Sequence, residues 1–556
     1  MDAAASSGPL SGLRWNGLSN LLDAMLPGNE FRRLFRRKSL DQLIGETAAP
    51  DQQLRRTLGP WQLTMLGVGA IVGAGIFSTP GTAAAGGADH IGAGPALVVS
   101  FVLVSITCGF AALCYAEFAA MVPVSGSAYT YAYATLGELA AWLIGWDLIL
   151  EYAISNAAVA VSWSGYFQTL LSTLHCHIGW LGIDFKPQVP SWLATDLLST
   201  MRAAHQVALA NGHLANISPD VIQAAKVFAE APRLAGLPII FNLPAFCIVI
   251  LITWVVFIGM KETARFNTAL VIGKLAIVVF FLVLGATMIH PANWVPFAPN
   301  GVKGISSAAA IIFFAYIGFD AVSTAAEETR NPKRDMPFGI IASLIICTVL
   351  YIAVAVVLTG MAPWNTLGNE EPLAKVFTDR GMTWAAGVVA LGAVIATTSA
   401  LVPYQAGQPR IFFAMGRDGL LPPWTARVHP KHRTPHITTW ITGGVVALCA
   451  SVFNIDELVD LTNIGTLFAF ILVATGILIL RVKEPDRVRP FHTPLVPWVP
   501  IGAILSCAYL MYALPKTTWL RFFVWMGLGL LLYVVYGSRN SRLHRHPQVK
   551  HTEQAK

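Results

Sequence analysis

Apolar stretches long enough to cross a membrane recur along almost the whole chain. Spanning the hydrocarbon takes about 20 apolar residues in a helix, and twelve stretches qualify: 60–85, 94–121, 139–167, 238–260, 267–289, 304–328, 337–360, 384–414, 437–453, 458–480, 497–514 and 520–536. Short polar loops separate them, apart from one long connection, 168–237. The pattern predicts an all-α integral membrane protein of about twelve transmembrane helices. Two stretches are built against their own task. VGAIVGAGIFSTPG (68–81) carries Gly69, Gly73, Gly75 and Pro80, and AAAIIFFAYIGFDAVSTAAEE (308–328) carries Gly318 and Asp320. Inside a helix glycine costs about 1 kcal/mol against alanine and proline about 3.

These two segments open consecutive five-helix sets, the signature of an inverted repeat whose broken helices frame a midplane site. The expected organisation is a first repeat over 60–289 containing an external segment 168–237, a second repeat over 304–480, and two appended helices over 497–536. A segment 1–59 precedes this transmembrane body and a tail 537–556 follows it. Unwinding around Gly73, Ala74 and Gly75 frees amides on one half-helix and carbonyls on the other, and in hydrocarbon both require partners. A zwitterion supplies them: its carboxylate suits the amides and the positive dipole end, its ammonium the carbonyls near Val72 and around Phe314–Ile317. Glycine lets such a ligand approach the backbone. The competing reading is that the glycines serve only close helix packing.

Composition agrees with membrane residence. The 556-residue chain is 55% hydrophobic and 12% charged, against about 25% charged in soluble domains. No charged n-region followed by a short apolar run opens the chain, so no signal peptide is expected. The net charge of +7 is dispersed over loops and tails, including FRRLFRRK (31–38); this excludes nucleic acid as the expected partner and fits cytoplasmic loops against an anionic lipid bilayer. Of seven cysteines, Cys108, Cys114, Cys247, Cys347, Cys449 and Cys507 lie in apolar stretches and read as small buried hydrophobes. In His175-Cys176-His177 adjacent side chains point apart, so a metal is not expected there. Within the long connection, Ser218-Pro219-Asp220 reads as the start of a surface helix.

The blocks GAGIF (73–77), PVSGSAYTYAY (123–133), FFAYIGFDAVSTAAEETRNPKRDMPFGI (313–340), RIFFAMGRDGLLP (410–422) and LTNIGTLFAF (461–470) resemble the amino acid–polyamine–organocation superfamily, and within it bacterial members of the cationic amino acid transporter family. The likeness runs from about 31 to 536. It implies a leucine-transporter-type five-plus-five fold, an α-amino acid substrate, and often proton rather than sodium coupling. By that resemblance Gly73, Ala74 and Gly75 bind the substrate carboxylate, with Ile71 beside them. Phe314, Ala315 and Ile317 take the ammonium on their carbonyls and shape the side-chain pocket, with Asp320 at its far end. Lys274 matches a fifth-helix lysine that stands where sodium-coupled relatives bind their ion. LVPYQAGQPR (401–410) departs from the family's usual eighth helix, which leaves side-chain specificity open between neutral and cationic substrates.

Lys274 sits amid apolar residues, where a buried lysine costs at least about 2.5–3.5 kcal/mol. Either it loads and releases a proton during a transport cycle, or it is a fixed ammonium holding carbonyls of the first helix. Glu151 in the third helix is the second candidate for proton coupling, by pairing with Lys274 or facing the substrate route, and Asp147 lies one turn earlier on the same face. Glu117, near the inner end of the second helix, suits capping or a gate contact; Glu327 and Glu328 read as solvated. Thr397, Thr398 and Ser399 keep sodium ligation open. No nucleophile-and-base pattern, phosphate loop or metal-ligand cluster stands out, so neither an enzyme nor a cofactor is expected. The functional expectation is a secondary active permease, probed against an exchanger without net proton flow, a channel, and a non-transporting amino acid sensor. A small single-helix membrane subunit alongside is left open. Because KETAR (261–265), RNPKR (330–334), 417–433, 481–489 and the tail hold most of the Lys and Arg, the positive-inside rule places both termini in the cytoplasm and 168–237 outside, in the cell inner (plasma) membrane. A cysteine at Gln206 should then label from outside and one at Arg487 should be protected; the reverse pattern would invert the orientation.

Overall fold

The computed structural model describes residues 36–38, 58–87, 90–122, 127–173, 176–178, 183–185, 187–209, 219–234, 236–258, 264–432 and 434–545. Helices dominate: α1 (Pro60–Ile71), α2 (Ala74–Ala85), α3 (Leu97–Met121), α4 (Ser127–Thr135), α5 (Glu138–Thr173), α6 (Leu197–Leu209), α7 (Pro219–Glu230), α8 (Leu243–Ile258), α9 (Ala264–Ala286), α10 (Gly301–Ile312), α11 (Pro332–Met361), α12 (Pro372–Thr378), α13 (Thr383–Arg417), α14 (His436–Val452), α15 (Ile455–Lys483), α16 (Trp498–Ala513) and α17 (Lys516–Leu532). Among the described residues seven helices are long and apolar enough to cross a membrane alone. One further pair, α1 and α2, qualifies together but is bent by 50°. Four apolar helices are shorter: α8, the run Gly301–Tyr316, α14 and α16.

The expected helix over 60–85 is therefore two helices meeting at an angle. The stretch 304–328 is likewise α10, a 3-10 turn Phe313–Tyr316, a non-helical joint, and a 3-10 helix Asp320–Glu328. Both interruptions fall at glycines read in mid-segment, the second beside Asp320. Pro403 and Pro409, in contrast, leave α13 continuous over 35 residues, because its neighbours α5 and α8 pack along it and closely packed helices re-satisfy groups freed by proline. The sequence reading missed the amphipathic α6 and the short α4 and α12. It anticipated α7, which begins at Pro219; its expected N-cap, Ser218, lies outside the described residues. The connection around α6 and α7 also holds two small antiparallel pairs, β1 (Cys176–Ile178) with β2 (Ile183–Phe185), and β3 (Arg233–Leu234) with β4 (Leu237–Pro238).

Packing follows an ordered set of partners. α3 lies on α11, α5 on α13, and α8 on α14, while α1 and α2 meet the interrupted segment 313–328. α15 runs against α5 and α16. Cys108, Cys114, Cys347 and Cys507 are buried as expected; Cys247 is not, because it lies on the outward face of α8, and Cys449 is half-buried. Glu117 is fully buried near the end of α3. It binds Arg481 of α15 through two hydrogen bonds of 3.0 and 2.8 Å, and accepts from the Thr493 amide at 2.8 Å. With Arg489 at 3.3 Å, this acid joins α3 to the end of α15 and to the chain leading into α16.

Candidate functional site

At the first interruption Val72 leaves the helix (φ −77°, ψ 93°) and Gly73 adopts φ −144°, ψ −145°. The carbonyls released there are claimed by the protein's own side chains. Lys274 Nζ, from α9, donates to Gly69 O at 2.9 Å and Val72 O at 3.2 Å, and Tyr351 Oη, from α11, donates to Ile71 O at 2.9 Å. The amides are different. Among the described residues those of Gly73, Ala74 and Gly75 donate to no backbone carbonyl, and they point from the positive end of α2. Three free N–H groups at a helix start form a seat for an anion such as a carboxylate.

The second interruption lies against the first. Ile317 is extended (φ −62°, ψ 134°) and Gly318 has φ +124°, a conformation that favours glycine. A Cβ on Gly318 would also come within 2.8 Å of the Ala70 carbonyl carbon, and one on Gly75 would collide with the Ala315 backbone. The glycines thus knit the two interrupted segments together, which is the packing role weighed against ligand approach. Gly73 is less confined, its nearest neighbour being the Ala400 Cβ at 3.2 Å. Asn463 Nδ2 of α15 donates to Ala310 O at 2.6 Å and Ile311 O at 3.1 Å, so a side-chain donor grips the end of α10 much as Lys274 grips α1. Asp320 Oδ1 accepts from the Gly318 amide at 3.2 Å, and Ser323 Oγ donates to Asp320 O at 2.5 Å.

Ile71, Gly73, Ala74, Gly75, Phe314, Ala315, Ile317 and Asp320 all gather at this joint and all are buried. Just past the joint, Tyr166 Oη donates to Phe77 O at 2.5 Å, and Ser78 Oγ bonds Ser162 Oγ at 2.6 Å and Glu370 O at 2.5 Å. One part of the expectation changes. The Val72 carbonyl, assigned to a ligand ammonium, is already bonded to Lys274, so only the segment after α10 remains for that group.

Lys274 is engaged by the Gly69 and Val72 carbonyls. Glu151 instead shares its surroundings with Asp147, Asp320 and Thr466. Among the described residues Glu151 Oε2 and both Asp147 oxygens lack a hydrogen-bond partner. Asp147 occupies the space that the missing side chain of Gly465 leaves on α15. Thr397, Thr398 and Ser399 each donate back to a carbonyl of α13. Sequence reasoning missed Tyr351 and Asn463. Asn463 stood in the block LTNIGTLFAF, where an amide inside an apolar run was its only signal; Tyr351 in a tyrosine-tolerant apolar helix offered none.

A mostly helical membrane protein whose two interrupted helices meet in a buried joint of free amides belongs to the class of multi-pass transporters. Residues 58–535 match the amino acid permease family, and the chain belongs to it. A branched-chain amino acid permease of Bacillus subtilis is 44% identical over 513 residues, covering 92% of this chain and 99% of the relative. A methylthioribose transporter of the same organism is 42% identical, with the same coverage. Cationic amino acid transporter 3 of Arabidopsis thaliana, a mitochondrial protein, is 35% identical over 82% of this chain and 68% of its own length. These relatives are transporters, not enzymes.

Because Gly75 has no room for a side chain, Gly75→Val should push the two interrupted segments apart and weaken amino acid binding at least tenfold while the chain still inserts. Binding to purified protein, read by scintillation proximity, checks this; unchanged affinity would move the site away from the joint.

Proposed function

We propose that the chain is a secondary active transporter that moves α-amino acids by alternating access, in symport with protons, with both termini cytoplasmic. The observation that carries this reading is the Lys274 ammonium on the Gly69 and Val72 carbonyls. Hydrogen bonds to a charged group contribute about 1.5–3 kcal/mol each, against about 0.5–1.5 for neutral ones. Two of them offset the roughly 2.5–3.5 kcal/mol cost of placing lysine in the membrane. Loss of the proton weakens both bonds and loosens the interruption whose amides seat the substrate carboxylate. The fixed-ammonium and proton-carrier roles of Lys274 are then two halves of one cycle.

The pairing of α3 with α11, α5 with α13 and α8 with α14 supports the five-plus-five inverted repeat, since each helix lies on the one five spans later. Counting the bent pair and the four shorter helices with the seven long ones supports twelve spans. The charge distribution over the loops supports cytoplasmic tails and an inner-membrane location. Glu151 belongs to the proton route through its closeness to Asp320.

Lys274→Met keeps length and removes the amine. Proteoliposomes containing it should lose pH-gradient-driven accumulation by tenfold or more, even if exchange survives; undiminished concentrative uptake would dismiss Lys274 as the coupling group and favour the exchanger reading. The substrate panel should include leucine, alanine, lysine, arginine and methylthioribose, the last because of the similar transporter.

Asp320 Oδ1 already accepts from the Gly318 amide at 3.2 Å, a hydrogen bond to a charged group contributing about 1.5–3 kcal/mol, so one of its two oxygens is committed locally. Asp320→Asn keeps that acceptor and removes the charge. Selective loss of lysine and arginine uptake with alanine uptake preserved is the expected result if the residue reads substrate charge; an equal loss for all three would mark it as structural.

A further inference from the structure

Where α8 and α13 near their ends and α14 begins, the three helices leave a cleft between them. Val255 and Val256 of α8, Val402 and Ala406 of α13, and Pro435 just before α14 form its apolar walls. Among the described residues no carboxylate lines it, and one charged group does, Arg410 of α13. Arg410 is exposed, two turns before the end of its helix, and among the described residues it makes no hydrogen bond and no ion pair. It lies within electrostatic reach of the Tyr152 phenol of α5, a neutral group that leaves the guanidinium charge uncompensated.

The surroundings place this cleft at a membrane–water boundary. Trp254, one turn before the end of α8, and Trp440, one turn into α14, are both exposed. They stand at one level, because Phe257 of α8 packs on Trp440 with ring centroids 6.0 Å apart. Tryptophans exposed on membrane helices collect at the level of the lipid headgroups. Deeper along the same helices the exposed side chains are apolar, Leu251 on α8 and Ile441 and Val445 on α14, as a face turned to lipid requires. The chain between α13 and α14 folds back over the end of α8. Thr434 Oγ1 donates to Phe257 O at 3.0 Å, and the His429 and His432 rings stand 5.6 and 5.1 Å from the Phe257 ring. Lys431, between those two histidines in sequence, is exposed. An apolar slot thus opens beside an unpartnered arginine under a basic rim.

We propose that this cleft binds an anionic phospholipid of the adjoining leaflet, with the lipid phosphate on Arg410 and the upper part of one acyl chain along Val255, Val256, Val402 and Ala406. A guanidinium offers phosphate two parallel charge-assisted hydrogen bonds. Basic pockets between membrane helices hold anionic headgroups by the same means. A long side chain at the boundary can also reach water by snorkelling, but that needs no slot beside it; the slot is what gives a lipid chain a place to lie. A free phosphate would gain from Arg410 and nothing from the apolar walls. A zwitterionic headgroup would bring its own cation toward Lys431, so the basic rim favours a lipid with net negative charge. The proposal is independent of how the transport cycle is driven.

Photolabelling tests this directly. The full chain, purified in detergent, is mixed with phosphatidylglycerol carrying a diazirine on one acyl chain and irradiated, and the labelled peptides are identified by mass spectrometry. Label is expected on peptides carrying residues 251–258, 402–410 and 434–441. Arg410→Gln should lower it at least threefold, and so should Val256→Trp, whose ring fills the slot and leaves the charge in place. Arg410→Lys keeps the charge and should retain more than half. If Arg410→Gln does not run as a single peak on gel filtration, Val256→Trp decides the matter. Label spread evenly over the other helices, or undiminished in the folded variants, would overturn the site. Excess unlabelled phosphatidylglycerol should displace the probe, whereas phosphatidylcholine and inorganic phosphate should not. Equal displacement by phosphatidylcholine would refute the preference for an anionic lipid, and displacement by inorganic phosphate would reduce the cleft to an anion site; either result contradicts the proposal.

Discussion

Everything at the joint depends on one constraint: a backbone group freed inside hydrocarbon has to find a partner within the protein. The carbonyls of Gly69 and Val72 find Lys274, that of Ile71 finds Tyr351, and those of Ala310 and Ile311 find Asn463. Each unpaired group would cost several kcal/mol in lipid, so these donors determine where the helices are able to stop. What they leave over is asymmetric. The carbonyl side of the first interruption is filled by the chain itself, while the amides of Gly73, Ala74 and Gly75 are left for something else. On the proposed reading that imbalance is what suits the amides to a carboxylate.

The two interruptions are held by related means but different chemistry. Lys274, on α9, and Asn463, on α15, come from the last helix of each proposed repeat, and each donates from one nitrogen to two carbonyls. Asparagine has no proton to lose at any physiological pH, whereas an ammonium does. On the proposed reading only the first interruption responds directly to protonation, and the second follows through its contacts with the first. The close contact of Gly75 with Ala315 and of Gly318 with Ala70 couples them, so loosening one shifts the other.

Much of this was legible beforehand because the controlling signals are local. Glycines inside apolar runs marked both interruptions, a carboxylate marked the second, and a lone lysine in an apolar helix marked Lys274. Side-chain partnership across helices was not legible. Tyr351 on Ile71 O and Asn463 on Ala310 O and Ile311 O link residues far apart in the chain, and no spacing within either helix points to those partners. Pro403 and Pro409 lie inside the single stretch read over 384–414, and the helix there is continuous because it is clamped along its length.

The nature of the substrate side chain turns on how many oxygens remain for it. Asp320 has one oxygen on the Gly318 amide, and Glu151 and Asp147 lie along the same face of α5 within reach of a path toward the tails. A cationic side chain at the joint would meet a carboxylate already partly engaged, which weakens any ion pair there and makes full selectivity for lysine or arginine hard to achieve by Asp320 alone. Phe314 and Ile317, buried beside it, instead provide apolar surface, at about 0.8 kcal/mol per methylene covered. A branched aliphatic side chain can use that surface without desolvating a charge. On the proposed reading, a rigid backbone seat beside a mixed apolar and acidic wall favours strict recognition of the carboxylate and loose recognition of the side chain.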